Sequence, residues 1–397
     1  MMFRKLLLCL AASMALSTSL PASAQEVFKI GVLLPLSGGN ADSQRVLRGH
    51  ELAAKQINDA GGIKSLKGAK IQLVVGDIQS KPDVARSEAE RLATRENVHM
   101  MVGAFATATT IPAMQVSDRN GVPFIIVQAV TDNLTEQGLK YVFRIGPKAK
   151  WFSEEAAAFV EYLNSKGAKI SKIALAYEDG PFGQSASANY RAALSARGMQ
   201  VVAEESFKTG SPDLGTQAAK LKASGAEMVL LASYLNDNAL LLRSFAALRY
   251  SPMVLGYSNT FLQPALLELG APINLKFGIT DWMPDLARKA ANDFAEAYTA
   301  AYKESSIGGP AAAFATIYVA AAAAEIAGSL DRDALRKAMH EIKITDGPGA
   351  VLPEAAIAFD ENGQNKIGLI VSQVIDGKFV TVWPEAYAAK PLVIPTP

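Results

Sequence analysis

Cysteine is almost absent: Cys9 is the only one in 397 residues. It sits in an N-terminal apolar run that ends at a small-residue cleavage site, so the mature chain is expected to carry no thiol. That excludes disulfide staples and a thiolate nucleophile. Histidine is scarce too. His50, His99 and His340 stand far apart, with no H-E-x-x-H and no spacing suited to a metal ion. Neither a glycine-rich phosphate loop nor a G-x-S-x-G elbow occurs. Neighbouring carboxylates such as Glu154-Glu155 and Glu204-Glu205 fall where solvated helix or strand ends are expected. These gaps leave no cofactor, no metal and no enzyme chemistry to assign. An excess of one charge is also missing, since 39 Lys and Arg face 38 Asp and Glu. A balanced chain lacks the field that draws nucleic acid or an anionic membrane, so neither is an expected partner.

What is present begins with a targeting segment. Arg4 and Lys5 form a basic start, residues 6–20 a mostly apolar core, and Ala22-Ser23-Ala24 an A-x-A site before Gln25. Residues 1–24 therefore read as a cleavable signal peptide, and the mature protein is expected in the periplasm. Cys9 lies inside the apolar core, in a poor position for a lipid anchor. Losing two basic residues and no acid brings the mature net charge near −1, from the +1 of the full chain. No later run is expected to span a membrane: residues 311–327 are Ala-rich, but Thr316, Tyr318 and Glu325 mark a helix of a soluble protein.

The mature chain exceeds the usual size of a single core, so two domains are expected. Apolar β-type runs alternate with helical patterns. Strands are expected at 28–34, 71–77, 100–102, 122–127, 170–177, 199–206, 228–232 and 253–256, with helices at 48–60, 82–95, 183–197, 213–224 and 237–248. This alternation predicts an α/β fold of two Rossmann-like lobes, each a parallel sheet flanked by helices. Residues 284–338 are almost wholly helical and must return to an existing sheet. Runs 366–374 and 378–383, joined at Asp376-Gly377, predict a closing hairpin. The expected division is 27–147 plus 284–360 for the first lobe and 148–283 plus 361–397 for the second. Repeated crossings between lobes make a hinge, and the cleft beside it is a favoured ligand site.

Residues 101–131 carry the strongest local signal. A buried run stops at Gly103, Pro112 suits a first helical turn, and Thr107, Thr109 and Thr110 become candidates for the cap and the loop before it. A second buried run ends at 128–131. Hydroxyls and free N–H groups at a helix start, beyond the carboxyl ends of strands, suit a small anion such as a carboxylate. Ordinary helix capping explains the same threonines. Phe105, Phe182, Tyr234, Tyr257 and Trp282 fall near expected cleft loops, where each could be a ligand wall or core.

The order of IGVLLPLSGGNA (30–41), INDAGGI (57–63), IQLVVGD (71–77), MVGAFATATTIPA, GVPFI, YVFRIGP (141–147) and YEDGPFGQS (177–185) resembles the Leu/Ile/Val-binding group of periplasmic solute-binding proteins that serve ABC importers. The resemblance covers essentially the whole mature chain. It implies the type I periplasmic binding fold, with three interlobe crossings near 146–149, 281–285 and 358–366. It also implies capture of a small carboxylate-bearing solute and delivery to a membrane permease, by a protein acting as a monomer. The same fold serves ligand-sensing modules, which is the alternative use. In that family hydroxyls and backbone N–H groups of the first lobe hold an amino acid's carboxylate; the matching positions are Ala106, Thr107, Ala129 and Thr131, with Phe105 beside them. Aromatic side chains of the second lobe close over it, matched by Phe182 and Tyr234. The acidic residue that holds the ammonium group falls at or near Ser258, which has no carboxylate. A buried ammonium without a charged partner is costly. Either Asp281 replaces the lost charge, or the ligand has no α-ammonium and is an aromatic or aliphatic acid; Trp282 beside Asp281 fits a planar ligand or an apolar side chain. Arg45 is either a solvated helix-start residue or a second carboxylate anchor.

Overall fold

The computed structural model describes residues 26–37, 43–353 and 356–395. The expected signal peptide with Cys9, and residues 38–41 of the first loop, lie outside the described residues. The chain forms two sheets. The first has five parallel strands, β1 (Val27–Leu34), β2 (Lys70–Asp77), β3 (Met100–Gly103), β4 (Phe124–Ile126) and β5 (Val142–Arg144), in the order β2-β1-β3-β4-β5. β3, β4 and β5 are buried along their whole length. That explains why they read as continuous apolar runs rather than alternating ones.

The second sheet contains β6 (Lys172–Glu178), β7 (Gln200–Phe207), β8 (Met228–Ala232), β9 (Met253–Tyr257), β10 (Phe277–Thr280), β11 (Ile370–Ile375) and β12 (Lys378–Trp383). Its order is β12-β11-β10-β9-β8-β6-β7. The first five of these strands in the chain are parallel and repeat the pattern of the first sheet, while β11 and β12 are antiparallel additions. β10, a run of four residues, was not among the expected strands. β11 starts at Ile370, paired with Thr280 at the end of β10, so the returning chain enters this sheet at its crossing edge and must run backwards. The hairpin turns at Asp376 and Gly377, with φ of 52° and 71°. Two successive left-handed residues are the signature of a turn whose twist matches the strands.

Residues between β10 and β11 return to the first sheet. Helices Lys289–Tyr302 and Pro310–Ala327 pack on helix Ser43–Asp59. The hydroxyls of Tyr298 and Tyr302 donate to the carbonyls of Arg45 and Arg48 at 3.0 and 3.1 Å. Tyr318 donates to Gln56 Oε1 at 2.9 Å. Helix Pro310–Ala327 is long and apolar enough to cross a membrane, yet 72% of it is buried inside the protein. Its alanines serve close helix packing, since a Cβ on Gly49 would lie 2.3 Å from the Pro310 carbonyl oxygen. Arg45, half-buried at the helix start, is not aimed at the cleft: its guanidinium donates to the carbonyls of Ser305 and Ile307 and pins the loop before this helix.

The chain crosses between sheets after β5, after β10 and before β11. The first and third crossings are laced together. Asn365 N–H donates to the Arg144 carbonyl at 2.9 Å, Asn365 Nδ2 to that of Ile145 at 2.8 Å, and Gln364 Nε2 to that of Gly146 at 2.8 Å. Gln364 and Asn365 are both buried.

His50 is fully buried in helix Ser43–Asp59, and neither ring nitrogen closes a hydrogen bond. Desolvation pushes its pKa from 6.5 down to about 3, with only a partial offset from the Val46 backbone. The folded state therefore holds a neutral imidazole while the unfolded chain takes up a proton below pH 6.5. Stability from this group is present above that pH and is lost as pH falls toward 3. The linkage amounts to about 2 kcal/mol between pH 7 and 5. Urea denaturation at the two pH values should show that loss in the wild type, and His50→Leu should remove most of it.

Candidate functional site

Both sheets have the strand order in which the first two βα units run outward in opposite directions, and ligands bind beyond the carboxyl ends at that reversal. In the first sheet the reversal lies between β1 and β3, and the loop after β3 carries Phe105, Ala106 and Thr107. In the second it lies between β6 and β8, and the segments that follow carry Phe182 and Tyr234. These loops face each other across a narrow inner chamber of about 20 Å³. Phe105, Ala106, Thr107 and Ala129 line it from the first lobe, and Phe182, Tyr234 and Ser258 from the second. Gln128, Val130, Asn259 and Thr260 complete the wall. The chamber adjoins a wider outer one of about 280 Å³, which shares Phe105, Ala106, Tyr234 and Thr260 and adds Glu178 and Asp237.

The first-lobe wall is built by a sharp exit from β3. Gly103 has φ of 130°, and a Cβ there would lie 2.2 Å from the Leu33 carbonyl oxygen. Only glycine fits both demands. The following helix begins at Thr107, with Ala106 as its cap residue. The expected placement of the threonines is thus corrected. Thr109 and Thr110 lie inside the helix, not in the loop before it, and their hydroxyls donate back to the Ala106 carbonyl at 2.9 and 2.8 Å. Pro112 is likewise within the helix rather than in its first turn, so the Ala108 carbonyl loses its helical donor. Tertiary burial of this segment tolerates that loss. The N–H groups of Thr107 and Ala108, first in the helix, have no helical acceptor.

Thr107 Oγ1 lies 3.0 Å from Thr131 Oγ1, and both residues are buried. Thr131 itself stands behind the chamber wall and joins it through this contact. On the opposite side Phe182 packs against Tyr234 with ring centroids 5.6 Å apart and against Tyr257 at 5.3 Å. Tyr257 is core: its hydroxyl donates to the Ala149 carbonyl at 3.1 Å.

The structure separates Asp281 and Trp282 from this group. Neither lines the inner or the outer chamber. Asp281 Oδ1 accepts from Thr280 Oγ1 at 3.3 Å and from Asn259 Nδ2 at 3.4 Å, and burial pushes its carboxyl above the usual range. Trp282 is buried against Phe294, with centroids 5.5 Å apart at 75°. Asn259 occupies the space between Asp281 and the chamber. It also accepts from Thr280 Oγ1 at 2.7 Å, so its amide is held with a fixed orientation. Ser258, at φ of 57°, opens the short helix Ser258–Phe261 that carries Asn259 and Thr260 inward. Among the described residues no carboxylate lines the inner chamber, while Glu178 and Asp237 line the outer one beside it.

Sequence reasoning missed Gln128, Asn259 and Thr260. The first lies beside the quoted Ala129, and the other two follow Ser258 in GYSNT; polar residues directly after buried runs were the available signal. A model of the periplasmic binding protein family matches residues 27–378. The chain belongs to that family. A Leu/Ile/Val-binding protein homologue from Brucella suis biovar 1 is 32% identical, covering 98% of this chain and 99% of the relative. This places the chain among substrate-binding proteins of branched-chain amino acid ABC transporters, a periplasmic group. Two solved structures share the fold. One is a branched-chain amino acid transporter substrate-binding protein from Streptococcus pneumoniae in complex with isoleucine (TM-score 0.79, 22% identity, 89% of this chain and 98% of that one). The other is a solute-binding protein from R. palustris in complex with benzoate (TM-score 0.80, 17% identity, 92% and 97%).

The exit at Gly103 yields a direct test. Gly103→Ala should cost about 2–4 kcal/mol in urea denaturation, since an alanine there meets both backbone strain and the Leu33 carbonyl.

Proposed function

We propose that this protein captures a small carboxylic acid without an α-ammonium group, aromatic or aliphatic, and delivers it to the permease of an ABC importer. Residues 27–147 with 284–360 and residues 148–283 with 361–397 act as the two closing lobes of a monomer. One observation carries the choice of ligand. The inner chamber offers hydroxyls and helix-start N–H groups at one end, and only the neutral Ser258, Asn259 and Thr260 at the other. The first set suits an anion. Among the described residues the second gives an ammonium no counter-charge inside the inner chamber, since Glu178 and Asp237 line only the outer one, and Asn259 stands between the inner chamber and Asp281. Phe105, Phe182 and Tyr234 supply apolar walls for the body of the ligand, which needs the adjoining chamber of about 280 Å³ as well as the inner one. The benzoate-bound relative supports this class, and the isoleucine-bound one marks the competing class.

Within this reading Thr107 holds the carboxylate together with backbone N–H groups near Ala106 and Ala129, and Thr131, behind the wall, fixes the Thr107 hydroxyl. The family's role and the lack of a nucleophile–base pair on the chamber wall favour binding without turnover. A thermal-shift screen of aromatic and aliphatic acids against leucine, isoleucine, valine and phenylalanine tests the ligand class; bound ligand raises the melting temperature with concentration over Kd. Acids should stabilise and amino acids should not; tight binding of the amino acids would overturn the assignment. Calorimetry on Thr107→Val should show binding weaker by about 1.5–3 kcal/mol, the range for a hydrogen bond to a charged group. Asp281→Asn should leave affinity within about threefold, because a residue outside the chamber contributes little directly.

A further inference from the structure

Arg144, the last residue of β5, is completely buried. Its guanidinium lies directly behind the loop that carries Ala129 and Thr131. Nη1 donates to the Thr131 carbonyl at 2.8 Å and reaches that of Ala129 at 3.5 Å. Nη2 reaches the Asp132 carbonyl at 3.4 Å and Thr135 Oγ1 at 3.5 Å, and Nε donates to Gln364 Oε1 at 2.6 Å. Every one of these acceptors is neutral. Among the described residues no carboxylate forms an ion pair with Arg144. Asp132, Glu136 and Asp360 lie near enough to favour its charged form, yet none pairs with it. Asp132 accepts from Lys150 N–H and Asn189 Nδ2, Glu136 pairs with Lys148, and Asp360 accepts from the N–H groups of Asn362 and Gln364. Burial lowers the Arg144 pKa only to about 10, so the group stays charged at neutral pH.

A buried cation hydrogen-bonded only to neutral oxygens keeps part of its field, because the carboxylates that favour its charge stand off from it and little water screens it. From this geometry we infer that Arg144 is the counter-charge of the ligand's carboxylate, acting through the Ala129–Thr131 loop, and that Gln364 ties it to the laced first and third crossings. Arg144 is a positioning residue: it touches the loop and not the solute. The same contacts make the crossings sensitive to whether the chamber holds an anion, since Gln364 bonds both Arg144 and the Gly146 carbonyl. This inference rests on reading the inner chamber as a carboxylate site.

The test compares acids with their neutral amides, using benzoate against benzamide and isoleucine against isoleucinamide, by calorimetry. The wild type should bind the acid at least tenfold more tightly than the amide. Arg144→Gln should bring that ratio within about threefold, and Arg144→Lys, which keeps the charge, should restore most of it. Thr135→Asp places an internal counter-ion within reach of Arg144 Nη2, outside the laced crossings, and should weaken the acid at least tenfold while leaving the amide within threefold. A purely structural arginine would weaken acid and amide alike in Arg144→Gln and Thr135→Asp, and that result overturns the inference. If Arg144→Gln does not fold, Thr135→Asp and Arg144→Lys decide by the same ratio. If the wild type binds neither acid, the reading of the chamber falls and this inference falls with it; an acid bound with an unchanged ratio in the variants removes this inference alone.

Discussion

The structure depends on two side-chain amides at the point where the chain crosses between sheets. Gln364 and Asn365 come from a segment more than two hundred residues after β5, yet they satisfy the carbonyls of Ile145 and Gly146. Backbone that leaves a sheet edge and enters another domain has no ladder partner, and buried carbonyls without donors are costly. Lacing one crossing with the side chains of another solves that problem without adding a strand, which would stiffen the hinge. It also explains why β11 runs antiparallel to β10. The chain returns at the same edge from which it left, so its first pairing is with the last residue of β10.

Arg144 sits in this same knot. Burying a guanidinium without an anion costs several kcal/mol before its hydrogen bonds are counted. Its five acceptors offset that cost, each such bond to a charged donor contributing about 1.5–3 kcal/mol at good geometry, although three of the five are long. A hydrophobic residue at the end of β5 would fill the space more simply. Retaining a charge there makes sense when the charge is used, and the adjacent loop is the only wall of the inner chamber it can influence. The loop then has two masters: the β4 strand that delivers it and the guanidinium that orients its carbonyls away from the chamber, leaving N–H and hydroxyl groups for the cavity side.

Much of the architecture was readable in the chain because parallel strands buried on both faces leave uninterrupted apolar runs, and because Gly-rich stops separate them from helices with a clear stripe. The closing hairpin was readable from Asp376-Gly377 for the same kind of local reason. β10 was not: four residues, one of them Gly278, give too short a run to stand out, and its strand state comes from pairing on both sides. The helix start at Thr107 was misplaced because Pro112 pulled the expected boundary toward itself. Packing against the neighbouring helix Pro82–Thr94 outweighs one missing hydrogen bond. The positions expected to surround a ligand split according to range. Phe105, Ala106, Thr107, Ala129, Phe182, Tyr234 and Ser258 follow directly from strand ends and converge. Asp281 and Trp282 depend on how a short helix fills the space between them and the chamber, and no local pattern encodes that.

Asn259 is where the polarity of the chamber is decided. Its Oδ1 is taken by Thr280 and its Nδ2 faces Asp281. That arrangement screens the Asp281 carboxylate from the cavity and stabilises it in a protonation-prone, desolvated position. An ammonium entering the inner chamber would meet the hydroxyls of Ser258 and Thr260 and, among the described residues, no negative charge on its wall. At the other end the buried guanidinium raises the local potential. The field across the chamber therefore falls from a cation behind one wall to neutral dipoles on the other. A zwitterion gains at its carboxylate and loses at its ammonium, whereas a simple acid gains at one end and loses nothing at the other. That asymmetry, rather than the apolar body that leucine and an aromatic acid both have, decides between the two classes.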